Sequence, residues 1–116
     1  MKRLILALSF VVLSGCAVIF PKPHDPVMFG QAIEIKVGLS KISCEDKSNW
    51  QPVLDKVETL KVYSFERGDP QSDAFGKMEE ALKKAKESKS ALFCESIVKL
   101  NKTRVDVTID AWKGRK

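Results

Sequence analysis

The amino terminus of the chain constrains how the rest of it can fold. A basic start at Lys2 and Arg3 is followed by an apolar run over residues 4–13 and then by the small residues Ser14 and Gly15. Charged, apolar and small segments in this order form the three-part pattern of a cleavable secretory signal. We therefore expect the folded part to lie outside the cytoplasm and to be shorter than the 116 residues of the chain.

A cysteine, Cys16, stands where such a signal would be cut. The run Leu13-Ser14-Gly15-Cys16 resembles the lipobox of bacterial lipoproteins. The resemblance implies that lipid is attached to the Cys16 thiol, that residues 1–15 are removed and that the new amino terminus is acylated. Two or more acyl chains give a stable anchor. Ala17 follows where aspartate favours inner-membrane retention in Gram-negative lipoproteins, so the resemblance implies the outer membrane, on its periplasmic side.

An uncut membrane anchor with a chance cysteine is the alternative interpretation of this segment. The apolar run has about ten residues, whereas a membrane-spanning helix needs roughly 20. The run could extend through Phe20 only by crossing Ser14, Gly15 and Cys16. A lipidated, cleaved terminus is therefore favoured.

The composition without the leader limits the size and the net charge of the mature protein. Removal of residues 1–15 leaves 101 residues, enough for one domain. The leader holds two of the 20 basic residues and no acidic one, so the formal charge falls from +5 to +3. Basic and acidic residues interleave, and no dense cationic stripe that would indicate nucleic-acid binding is present.

Two cysteines remain once Cys16 is assigned to lipid. The periplasm is oxidising, so Cys44 and Cys94 are predicted to form a disulfide. Closing a loop of about 50 residues would stabilise the fold by about 3–4 kcal/mol in the chain-entropy model. A redox or metal pair is the alternative, but the chain has no CxxC motif and His24 is its one histidine.

Residues 16–25 are predicted to form a lipidated tether. Pro21 and Pro23 oppose a regular element there. Val18, Ile19 and Phe20 are expected to contact the lipid interface because they are apolar and directly follow the anchor.

A first helix is predicted to begin at Pro26, with Asp25 as its N-cap. Apolar residues then recur at intervals of four and three, which places them on one helical face. Alternation of apolar and polar residues over 32–39 is typical of a strand and competes with this interpretation. The helix is favoured because its pattern covers more residues, namely Met28, Ala32, Ile35, Leu39 and Ile42.

Three further helices are predicted, over about 51–67, from Asp69-Pro70 onward, and over about 91–113 after an N-cap at Ser90. Gly68 suits the end of the second helix. A strand over 103–110 is the alternative in the last segment. The predicted inward faces are Val53, Val57, Leu60 and Ser64, then Phe75, Met78, Leu82 and Ala85, then Phe93, Ile97, Leu100, Arg104, Val107 and Ala111.

Four helices with short connections predict an all-α fold, an antiparallel bundle over residues 26–113 with a basic tail at 114–116. A small α+β domain is the alternative. In the bundle, Cys44 at the end of the first helix and Cys94 at the start of the fourth would meet at the same pole.

Chemical groups for catalysis are sparse in this sequence. His24 lies in the tether, outside the expected core. Asp73, Glu79 and Glu80 could form a carboxylate site, but lysines at helical spacing favour a solvated, ion-paired face. No cofactor and no small-molecule substrate is expected, and we predict that the protein is not an enzyme.

The carboxyl-terminal segment suggests a second contact with the membrane. The helices return it to the anchored pole, where an aromatic followed by cations suits a lipid headgroup interface. A frayed basic terminus is the alternative. The predicted membrane contacts are Phe20, Trp112, Lys113, Arg115 and Lys116.

These features favour a membrane-tethered binding or inhibitor module whose partners are the bilayer and an outer-membrane or periplasmic protein. The chain is similar in size and leader to small lipoproteins of phages and mobile elements, and this resemblance implies exclusion of superinfecting phage. Trp50, Tyr63 and Phe65 are candidate partner contacts, although each would also suit the core. A structural or assembly lipoprotein of the envelope is the alternative.

Overall fold

The computed structural model describes residues 23–115, which form four α-helices and no strand. The prediction of an all-α fold is confirmed, and the segments 32–39 and 103–110 are both helical. The elements are α1 (Pro26–Lys41), a 3-10 turn (Lys47–Asn49), α2 (Trp50–Glu66), α3 (Ser72–Glu87) and α4 (Ala91–Lys113).

The four helices pack as an antiparallel bundle. Helix α1 lies against α2 and α4, and α3 lies against the same two helices from the other side. The end of the bundle that contains Cys44 and Cys94 is called the disulfide pole. The opposite end, where α1 begins and α4 ends, is called the Asp25 pole. None of the helices among residues 23–115 is long and apolar enough to cross a membrane.

Local sequence signals set the ends of the first two helices. The Asp25 carboxylate accepts hydrogen bonds from the backbone N–H groups of Val27 (2.9 Å) and Met28 (3.2 Å), so it caps α1 as predicted. Gly68 has a φ of 67°, and its N–H donates to the carbonyl of Phe65. This left-handed residue ends the α2 segment at the place the sequence indicated.

A second glycine allows α1 and α2 to approach closely. A Cβ at Gly38 would lie 2.8 Å from Cγ2 of Val53. A larger residue would therefore push the two helices apart, at a cost of about 1–3 kcal/mol.

The core is built from the predicted faces of α1, α2 and α3. All the residues predicted to face inward on these helices are buried except Ile42, which is partly buried at the end of α1. Trp50 and Leu54 on α2 are buried in addition.

The predicted start of α3 is wrong by about two residues. Asp69-Pro70 does not open the helix, which begins at Ser72. The Asp69 carboxylate accepts a hydrogen bond from the N–H of Gln71 (2.9 Å) and pairs with Arg115. It therefore stabilises the loop before α3 and its contact with the chain end.

The predicted inward face of α4 is also wrong, although the helix has the predicted bounds. Phe93, Leu100 and Val107 are exposed by 42%, 44% and 63%. The buried stripe is shifted by one residue toward the carboxyl terminus and turned by about 100°. Its members are Cys94, Val98, Asn101, Val105, Thr108 and Trp112, with Ile109 beside them.

Two polar residues explain why the apolar pattern of the sequence does not indicate this buried stripe. Asn101 donates from Nδ2 to the carbonyl of Ile97 (2.8 Å), and Thr108 donates from Oγ1 to the carbonyl of Arg104 (3.0 Å). Bonds to the preceding turn of the same helix provide partners for these side chains inside the core. Residues that look solvent-facing in the sequence can thereby be buried.

Candidate binding surfaces

The disulfide pole brings together the ends of all four helices. The Cys44–Cys94 disulfide is present, with the two Cα atoms 5.9 Å apart, so the predicted bond is confirmed. Lys47 donates from Nζ to the carbonyls of Ala85 (3.0 Å) and Ser88 (2.6 Å) at the end of α3. A cation here stabilises carbonyls at the end of α3, where the Ala85 carbonyl also accepts from the N–H of Ser88.

Trp50 belongs to this pole and not to a contact surface. Its side chain is 1% exposed, and its indole N–H donates to the carbonyl of Ser43 (2.8 Å). The prediction of Trp50 as a partner contact is wrong, because the large apolar ring is needed to fill the core between the α1–α2 loop and the helices.

The Asp25 pole is held by polar contacts. The Tyr63 hydroxyl donates to Asp25 (3.1 Å), and the Arg67 guanidinium lies 3.2 Å from the same carboxylate oxygen. Tyr63 is half-buried and engaged within the fold, so it is not presented as a free anchor for a partner.

This environment shifts two pKa values. Burial raises the pKa of Asp25, but hydrogen bonds from the Met28 and Val27 backbone and from Tyr63, with the charge of Arg67, outweigh burial and lower it. Burial and the neighbouring Asp25 raise the pKa of Tyr63. Both groups act in stabilising the start of α1 against the end of α2.

The carboxyl-terminal residues are packed against this pole, which corrects two predicted membrane contacts. Trp112 is 2% exposed and lies 5.8 Å, between ring centroids, from Phe75. Arg115 pairs with the buried Asp69 and lies over the Trp112 ring. Since both side chains are committed inside the fold, neither is available to lipid headgroups.

Of the other residues predicted to contact the membrane, Lys113 alone lies in the part of the chain that the structure describes. Lys113 is exposed and lies 3.5 Å from Asp110. Cys16, Phe20 and Lys116 lie outside the described residues.

The three acidic residues considered for a carboxylate site, Asp73, Glu79 and Glu80, differ in burial. Glu79 is buried, with one carboxylate oxygen 2.9 Å from Lys61 and 3.6 Å from Lys83, so the predicted solvated face does not include it. Asp73 and Glu80 are exposed. Within residues 23–115, no group of histidine, cysteine or acidic residues is arranged to hold a metal ion.

The residues that the sequence predicts on the inward face of α4 instead form an exposed stripe on this helix, called here the α4 stripe. Its apolar members repeat at a spacing of seven, and Ile97 is half-buried between them and the core. Helix α4 thus carries two parallel apolar stripes, of which the bundle buries one. The α4 stripe comprises Phe93, Ile97, Leu100, Arg104, Val107 and Ala111.

Helix α3 forms the other wall of this surface. Ala74 and Ala81 are small and half-buried, which leaves a groove between α3 and α4. The groove has spaces of about 380 Å³ toward the Asp25 pole and about 350 Å³ toward the disulfide pole. Lys77 and Arg104 line both spaces, which follow one another along the interface between α3 and α4 and are together called the α3–α4 groove.

A second groove lies between α2 and α3. It has a volume of about 600 Å³ and is lined by Phe65 (70% exposed) and Val62 (51% exposed). Its remaining walls carry three acidic residues and two lysines, with Ser72 and Gly76. Of the three aromatic contacts the sequence suggested, Phe65 is therefore the one on a free surface.

Comparisons with protein-family models, curated protein sequences and solved structures found no significant match.

Proposed function

We propose that the protein is a lipid-anchored, non-catalytic binding module of the bacterial cell envelope. Cys16 attaches it to the outer membrane, on the periplasmic side, and the bundle binds an envelope protein. The observation that carries this proposal is the exposed α4 stripe, on which Phe93, Leu100 and Val107 are 42%, 44% and 63% exposed. Large apolar side chains exposed together on one helix face are typical of a protein–protein contact.

The length of the tether supports contact with other envelope proteins. Residues 17–25 span at most about 30 Å when extended. The Asp25 pole would therefore lie near the bilayer, with the 23 residues of α4 extending about 35 Å to the disulfide pole. The sides of the bundle are then available to a neighbour anchored in the same membrane.

The use of the titratable groups supports a binding role over a catalytic one. The groups with shifted pKa values include Asp25, Lys61 and Lys36, and each is engaged in a helix cap or an ion pair. Lys61 is paired with Glu79, and Lys36 with Asp106. Structural pairs of this kind perturb pKa values without chemistry.

Purification of the full-length protein from detergent-solubilised membranes would test the proposal. We expect one envelope protein in stoichiometric amount, and loss of both membrane attachment and that protein in Cys16→Ala. Sedimentation with cell-wall sacculi and no protein partner would instead support the structural or assembly role. A Cys16→Ala protein that still pellets with membranes would contradict the lipid anchor.

A further inference from the structure

We propose that the α3–α4 groove binds an amphipathic helix of the partner protein, with acidic residues along the edges of its apolar face. This proposal rests on the proposed function and specifies the partner's chemistry.

The spacing of the exposed apolar residues matches a helix. Phe93, Leu100 and Val107 lie at intervals of seven, with Ile97 set between them at the 4-3 spacing. This is the repeat by which one helix presents residues to another in coiled coils and in helix-in-groove binding. A partner side chain could insert between successive members because Ala74 and Ala81 leave space opposite them.

The internal packing of α4 does not require these residues to be apolar. The core stripe of α4 already closes the bundle against α1 and α3, with Cys94, Val98 and Val105 buried. Leu100 and Val107 nevertheless remain large and apolar at exposed positions. A second helix laid on the groove would bury them.

The charges around the groove favour an acidic partner. Lys77 and Lys84 lie seven residues apart on α3, and Arg104 lies across the groove on α4. Among residues 23–115 none of these three cations is within salt-bridge distance of a carboxylate, and Glu80 is the one acidic residue lining the groove. Acidic residues at heptad spacing on the partner would pair with them.

The same charges oppose binding of a second copy of this chain. In a two-fold dimer the same patch meets itself, so the Lys77, Lys84 and Arg104 cations of both copies would be gathered at one interface. Like charges brought together at an interface cost several kcal/mol. The concave shape between two helices also suits a rod more closely than a flat bilayer.

The length of the groove sets the size of the ligand. Fourteen residues separate Phe93 from Val107, which is about 21 Å along the helix axis. The partner segment is therefore a helix of about four turns.

Photocrosslinking of the full-length, lipidated protein in cells would test the proposal. A photoreactive benzoyl-phenylalanine is placed at position 100 on the α4 stripe or at position 107 in the groove, and at position 37 or 65 as controls. Val37 is 45% exposed on α1, so it matches Leu100 in exposure. We expect one adduct from positions 100 and 107, with the crosslinked peptide mapping to an acidic amphipathic helix of an envelope protein.

Charge reversal provides the matched comparison. Lys77→Glu/Lys84→Glu should lower the yield of that adduct at least tenfold. Lys99→Glu/Lys102→Glu changes the same charge at exposed positions outside the groove and should lower it less than twofold. Unchanged melting temperatures in both double variants would show that the fold is intact.

Four outcomes would overturn the inference. A homodimer adduct would identify a second copy as the occupant, and lipid adducts alone would identify the bilayer. A protein adduct from position 37 or 65 only would reject the groove and leave the binding function standing. No protein adduct from any position would contradict both proposals.

Discussion

The two poles of the bundle hold the same four helices together by different chemistry. The disulfide pole is closed by the covalent Cys44–Cys94 bond, with Lys47 and Trp50 bonding to backbone carbonyls. The Asp25 pole is closed by two ion pairs, in which Asp25 and Asp69 are the buried carboxylates. The first pole should therefore depend on redox conditions and the second on pH.

Removal of the disulfide should have the largest effect. Cys44→Ala/Cys94→Ala is expected to lower the free energy of unfolding by about 3–4 kcal/mol, because the unfolded chain loses a constraint across 50 residues. The melting temperature should fall by roughly 15 °C. Reductant should destabilise the wild-type protein by a similar amount and leave the variant unchanged; equal melting curves with and without reductant would contradict a structural disulfide.

Arg115→Ala should have the next largest effect, at the opposite pole. The change leaves the carboxylate of Asp69 buried without its cation, which is expected to cost about 1.5–3 kcal/mol. Lys113→Ala is the control, since this neighbouring cation is exposed and should matter by less than about 0.5 kcal/mol. Equal melting temperatures for the two variants in thermal denaturation would argue against the packed chain end.

Asp25→Ala should destabilise the protein by about 1 kcal/mol, because α1 loses its N-cap. Asp25→Asn retains a capping oxygen and loses the charge that attracts Arg67. Its loss of stability at neutral pH, measured by urea denaturation, should therefore be smaller than that of the alanine variant.

The pH dependence of stability should also reveal the ionisation of the Asp25 carboxylate. Its folded pKa lies below the ordinary value of 3.8, so its contribution is present above that value and is lost as the pH falls through the folded pKa. Other carboxylates titrate in the same range, so the difference between wild type and Asp25→Asn is the informative quantity. That difference should shrink in acid; a constant difference from pH 7 to pH 2 would be inconsistent with a lowered pKa of Asp25.

Lys47→Ala should have the smallest effect, about 0.3–1 kcal/mol, because it removes a cation from carbonyls at the end of α3. Lys89→Ala is the control at an exposed neighbouring position. If both variants unfold at the same urea concentration, Lys47 does not contribute to closing this pole.

Helix boundaries and the faces of three helices could be predicted because caps, glycine and 4-3 apolar spacing act locally. Asp25 and Ser90 cap their helices as their sequence context indicated. Asp69 stands in the same sequence context for an N-cap, but its carboxylate accepts hydrogen bonds from the Arg115 guanidinium, 46 residues away. A contact so distant in sequence leaves no local pattern.

The face of α4 could not be chosen from apolarity alone. Two stripes offset by one residue compete on this helix, and the more apolar one is exposed. Cys94 is the available signal, because a cysteine bonded to Cys44, just after α1, must point toward the bundle, and the buried stripe follows from Cys94 at 4-3 spacing. The predictions of Trp50 and Trp112 as surface contacts are wrong because the sequence does not distinguish an aromatic residue that contacts a partner from one that fills the core.

The disulfide has a consequence beyond the loop it closes. Rotation of α4 by about 100° about its own axis would bring Phe93 and Leu100 inside and turn Trp112 away from the core. Both settings present an apolar face to the bundle, but only one directs Cys94 toward Cys44. The disulfide is therefore compatible with the rotational setting of α4 that leaves the α4 stripe exposed.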